Sequence, residues 1–105
     1  MLMGPHSTIG NQSLVLIAEN QADYALWWIN QVREGNVVAV APSDTATKDY
    51  NERMKSAMPQ TVWVTGCKSW YLGKDGLPEL FPWTPMRHRE LLRIPETAHF
   101  DVRTA

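Results

Sequence analysis

Between Ser13 and Glu34 the chain carries an apolar stripe that few small folds can hide. Leu14, Ile17, Ala25, Trp28 and Val32 recur at helical spacing, and Val15, Ala18, Ala22, Leu26 and Ile29 widen the same stripe. The pattern predicts a helix over 14–34. Asn11 or Ser13 can accept hydrogen bonds from its first N–H groups, and Gly35 stands where a left-handed C-cap is needed. The first turns, Ser13 to Ala18, are apolar nearly all round, which calls for enclosure on several sides. A chain of 105 residues with five tryptophans has few elements to provide it. Each large aromatic ring brings about 150–250 Å² that favours burial, so part of this surface is expected to meet another domain, another subunit or a ligand.

The rest of the chain divides by its punctuation. Residues 36–41, Asn-Val-Val-Ala-Val-Ala, form a short β-prone run stopped by Pro42, read here as an extended connector rather than a strand. Ser43 and Asp44 then suit the start of a second helix over 43–58, with Tyr50, Met54 and Ala57 on one face. Pro59 ends or kinks it, although Thr61 and Val64 keep the spacing as far as 64. Residues 66–84 lose the helical period and collect aromatics, Gly and Pro, which predicts an irregular loop or hairpin turning at Lys74-Asp75-Gly76. A short helix over 85–93 is stopped by Pro95, and the tail to Ala105 reads as extended. The expected fold is mainly α, with two long helices, an aromatic-rich irregular loop and a short C-terminal helix.

Composition narrows the function classes. With 44% hydrophobic and 20% charged residues, the chain has the make-up of a folding protein rather than a disordered one. A net charge of −1 gives no footprint for nucleic acid or an anionic membrane, and apolar runs such as Leu14 to Ala18 are far too short to span a bilayer. With one cysteine, Cys67, there is no internal disulfide, and the expected compartment is the cytoplasm. His6, His88, His99 and Cys67 match no metal-ligand spacing, and nothing in the sequence orients a Cys67–His88 pair for nucleophilic chemistry. Neither a G-x-G-x-x-G turn nor a P-loop is present, so the chain lacks the usual cradle for a dinucleotide pyrophosphate.

Three stretches carry a family resemblance: Met1 to Ser13, M-L-M-G-P-H-S-T-I-G-N-Q-S; Ala18 to Tyr24, A-E-N-Q-A-D-Y; and Thr61 to Leu72, T-V-W-V-T-G-C-K-S-W-Y-L. Their order and spacing resemble the closing, C-terminal segment of Baeyer–Villiger-type flavin monooxygenases over nearly the whole chain. The resemblance implies a fragment of a flavoprotein with two dinucleotide-binding domains, in which residues 1–13 approach the flavin and a long helix leaves it. Gln12, Ser13 and Leu14 would face the flavin of FAD, mostly through their backbone. On the residues alone, Gly4 to Ser13 reads as a plain helix-leading turn and Trp70 as a core tryptophan.

In the family, the tryptophan of Ser69-Trp70-Tyr71 lies on a mobile loop that closes over the nicotinamide nucleotide and the substrate pocket. The resemblance therefore makes Trp70 an NADPH contact and Tyr71 a substrate-pocket residue. An indole suits the first role, since it offers a stacking face and one N–H donor. The sequence departs from relatives that continue with G-A-N-x-P-G-K. Here Leu72-Gly73-Lys74-Asp75-Gly76 follows, with Phe81-Pro82-Trp83 as a later aromatic pair.

The family's two glycine fingerprints, its F-x-G-x-x-x-H signature and its catalytic arginine belong upstream of the matching segment. The intact parent would use FAD and NADPH to oxygenate a ketone or another small organic substrate. The isolated chain is expected to hold neither cofactor and to be inactive, and its expected partner is the missing N-terminal FAD/NADPH-binding region. A reading from a different class is a small helical module that forms a homo-oligomer, or binds a lipophilic ligand, through its exposed aromatic surface.

Overall fold

The computed structural model describes residues 2–7, 12–66 and 68–105. The first helix, α1, runs Leu14–Arg33, one residue short of the expected end. Ser13 is its N-cap, the side chain accepting from the Val15 N–H at 3.3 Å. Asn11, the other candidate cap, lies outside the described residues. At the far end Glu34 is the C-cap and Gly35 adopts a φ of +80°. The Gly35 N–H then reaches the Val32 carbonyl at 3.1 Å, and the Asn36 N–H reaches that of Gln31 at 3.0 Å. This is a Schellman closure, in which a left-handed residue turns two orphan carbonyls back onto the chain.

The expected connector at 36–41 is instead the approach to a strand. Ala39–Pro42 forms β1, paired antiparallel with β2, Phe100–Arg103, in a register that sets Ala39 opposite Arg103 and Pro42 opposite Phe100. The β-prone valines find their ladder in the extended tail, a partner distant in sequence. Pro42, which lacks an N–H, ends the strand where no donor is required. The pairing carries Phe100 to the ring of Trp28, 4.9 Å between centroids, and so closes the distal half of α1.

The second helix, α2, spans Asp44–Ala57, and the Ser43 hydroxyl accepts from the Ala46 N–H at 3.2 Å. It does not continue to 64. Pro59 falls in a 3-10 turn, Met58–Gln60, and a second 3-10 turn covers Val62–Val64. The aromatic segment is a hairpin-like loop with one antiparallel bridge, Leu72 to Pro78. At its tip the Gly73 N–H reaches the Leu77 carbonyl at 2.8 Å, and Gly76 has a φ of +76°. Asp75 anchors this tip to α2 through Lys55 at 2.8 Å. Lys55, followed by the Leu77 N–H, holds the Asp75 carboxyl below its ordinary range.

The last helix, α3, covers Pro85–Leu91 with Thr84 as its cap, and ends two residues before the expected boundary at 93. Its final turn tightens, the Arg93 N–H reaching Glu90 at 3.3 Å, because Pro95 keeps Ile94 out of helical geometry.

Ile17, Met54 and Phe81 form the buried cluster, with Met3, Trp83 and Leu91 packed against it. The core thus ties the segment before α1, both longer elements and the aromatic loop together. The molecule is nevertheless slender, measuring 50 × 28 × 20 Å with a radius of gyration of 15.3 Å, where a compact chain of this length would have about 13 Å. Its accessible surface is 7566 Å². That is roughly 1,500 Å² above what a compact monomer of this mass exposes.

Candidate functional site

Residues 2–7 approach α1 in a strained turn. Met3 and His6 are non-glycine residues at φ of 55° and 59°, a conformation that costs free energy unless its surroundings hold it. Several contacts hold it here. The Met3 N–H donates to Gln21 Oε1 at 2.7 Å, the Ser7 N–H to the Gly4 carbonyl at 3.1 Å, and the His6 N–H to the Glu79 carbonyl at 3.0 Å. The His6 ring nitrogen Nδ1 lies 3.1 Å from the Leu80 carbonyl. Glu79 also donates its N–H to the Tyr71 carbonyl at 2.7 Å. One short backbone ladder, His6 to Glu79 to Tyr71, therefore joins the turn before α1 to the aromatic loop. Sequence reasoning missed His6, Gln21 and Glu79, because these bonds link distant main-chain groups and leave no periodic trace.

The residues expected to face a flavin cluster at the start of α1. Gln12 is half-buried, and its Oε1 is enclosed without a hydrogen-bond partner. Ser13 is exposed as the cap, and Leu14, Val15 and Leu16 are all at least half exposed. No acidic residue sits in this first turn to offset the positive end of the helix dipole. An enclosed acceptor lacking a donor, beside apolar side chains and helix N–H groups, suits the polar edge and flat face of an isoalloxazine. On that observation the residues present fit the group. Residues 8–11 lie outside the described residues.

Trp70 is 88% exposed, which removes the core-tryptophan reading. Tyr71 is half-buried between Trp63 and Trp70, whose rings meet it edge-on at 6.1 and 5.9 Å. No hydrogen bond or ring contact joins Trp70 to residues 12–14 among the described residues. Among the described residues the two halves of the expected site are coupled through the ladder at Glu79 and the His6–Leu80 contact.

The other candidate groups are dispersed. His88 is buried against Phe81, ring centroids 5.1 Å apart, with Nδ1 unpartnered, and burial lowers its pKa. His99 pairs with Glu96 at 3.6 Å. Cys67 lies outside the described residues. Among the described residues no three His, Cys, Asp or Glu side chains gather as a metal site would require, and no helix is long and apolar enough to cross a membrane.

Comparison with known proteins supplies the family. An uncharacterised monooxygenase of Mycobacterium tuberculosis is 45% identical over 103 residues, which cover 98% of this chain and 21% of that protein. A Baeyer–Villiger monooxygenase of Streptomyces coelicolor is 33% identical over 104 residues, 96% of this chain and 20% of its own length. The chain is homologous to a segment of Baeyer–Villiger-type monooxygenases. An FAD-binding monooxygenase of Aspergillus terreus extends the relation at 31% identity over 105 residues, 95% of this chain and 19% of its own length. The chain thus spans about a fifth of the length of the curated relatives it matches. No family model matches it, and no solved structure does.

Proposed function

We propose that this chain is the C-terminal segment of an FAD- and NADPH-dependent monooxygenase of the cytoplasm, completing the flavin and substrate site of a parent whose remaining chain binds both nucleotides. The observation that carries the proposal is the start of α1, where exposed Leu14, Val15 and Leu16 adjoin a capped helix N-terminus and the unpartnered Gln12 Oε1. A helix start of this kind leaves apolar surface and hydrogen-bonding capacity for something to cover.

Gln12, Ser13 and Leu14 would hold the flavin edge. Trp70 would stack on or donate to the nicotinamide nucleotide, and Tyr71 would line the pocket for a ketone or other small organic substrate. When bound, the flavin supplies the redox and oxygen chemistry. The chain's own residues bind, orient and exclude water. The isolated chain, with no turn for cradling a pyrophosphate, would hold neither cofactor and show no turnover.

Flavin retention tests this reading. In the intact parent, Ser13→Glu places a carboxylate and extra bulk at the turn, and the flavin-to-protein ratio read from the visible absorbance should fall well below that of the unaltered enzyme. Full flavin content in a folded Ser13→Glu protein would move the flavin contact away from α1. The exposed aliphatic face of α1, Leu26, Ile29 and Val32, also suits a homo-oligomer. A compact oligomer of this chain that ignores FAD even when the missing region is supplied would favour that reading instead.

A further inference from the structure

Tyr50 and Arg53 lie about one turn apart on α2, and Arg87 and Leu91 lie about one turn apart on α3. With Trp83 they line a cavity of about 270 Å³ between the two helices. Trp83 is held edge-on against Phe81, ring centroids 5.6 Å apart at 82°, and Phe81 belongs to the buried core, so this wall is preformed. No carboxylate lines the cavity. Arg87 has Glu90 at 3.4 Å with both side chains more than half exposed, and Arg53 makes no ion pair among the described residues. A wider groove that shares Arg53 and Trp83 adjoins it, with Asp49 and Glu52 among its lining residues.

We propose that this cavity binds a small planar aromatic carboxylate, its ring among Trp83, Tyr50 and Leu91 and its carboxylate taken by Arg53 and Arg87. Guanidinium groups match a carboxylate in plane and charge, and aromatic walls match a flat ring. The volume lies just below the usual range for drug-sized ligands, about 300–1,000 Å³, which suits one ring and is too small for a dinucleotide. An inorganic anion would leave the apolar walls in water. A neutral arene would leave Arg53 without an ion-pair partner among the described residues.

The test is a titration of the ¹⁵N-labelled chain with sodium benzoate, followed through the indole N–H resonances, that of Trp83 being assigned with Trp83→Phe. Benzoate should shift the Trp83 signal saturably with a dissociation constant of about a millimolar, as expected for so small a ligand. Benzamide and inorganic phosphate should each bind at least about ten-fold more weakly. Arg53→Gln and Arg87→Gln should each weaken benzoate by about five-fold or more while the other indole signals hold their positions. Arg53→Lys, which keeps the charge and loses the planar fork, should also weaken it. Equal binding of benzamide and benzoate, unchanged affinity in both Gln variants, or no saturable shift at about 50 mM benzoate would each overturn the proposal. None of these outcomes depends on the flavin-facing turn, so the two readings stand or fall separately.

Discussion

Trp70 and His88 hold opposite positions in the molecule, one almost wholly in solvent and the other 3% exposed. A tryptophan at 88% exposure contributes little to folding, so its removal tests function with little structural interference. In the intact parent, Trp70→Ala should lower kcat/KM for NADPH by about ten-fold, the value of one stacking and hydrogen-bonding contact, with the melting temperature unchanged. Steady-state kinetics alongside a thermal melt measure both, and unchanged kinetics would refute the nucleotide contact. Tyr71 does not allow so clean a separation, because it packs against Trp63 and Trp70 and its carbonyl takes part in the Glu79 ladder.

At the scale of elements, α3 is short and is held by the buried ring of His88. Burial lowers the pKa of that ring from its ordinary 6.5, so the folded chain resists a proton that the unfolded chain accepts. Its contribution to stability is therefore complete above 6.5 and declines as pH falls from there to the depressed folded value, below which both states carry the proton. Thermal melts at about pH 7 and about pH 5.5 should show a smaller loss on acidification in His88→Phe than in the unaltered chain. An identical loss would mean that the ring is not kept neutral in the fold. The elements legible in the sequence were those with local causes. Ser13 and Ser43 cap their helices, Gly35 closes the first and Pro59 stops the second. Strand β1 escaped because its residues acquire a ladder only from the distant tail, and the joining role of Glu79 escaped because it belongs to main-chain atoms. The turn before α1 could be read as a family resemblance. The unpartnered Oε1 of Gln12, a matter of three-dimensional enclosure, could not.

For the molecule as a whole, the excess of exposed surface comes with a helix that is apolar on two sides. Ile17 and Trp28 of α1 face inward, whereas Leu26, Ile29 and Val32 remain in solvent. Each of these outward side chains is already about half buried, so covering the remainder would contribute about 0.7–1.5 kcal/mol, available only when the rest of the parent or a second copy covers it. Leu26→Glu combined with Ile29→Glu should therefore leave the helical circular dichroism of the 105-residue chain intact while lowering the melting temperature of the intact parent. Equal melting temperatures in the parent would mean that this face stays wet there. The backbone ladder adds a mechanical constraint. Because His6, Glu79 and Tyr71 are bonded in series, the approach to α1 and the root of the aromatic hairpin behave as one bar. Upstream of Trp70, Gly66 holds a φ of +92°, a conformation that glycine adopts without steric cost. A displacement arriving at Gly4 would reach Tyr71 through two backbone hydrogen bonds.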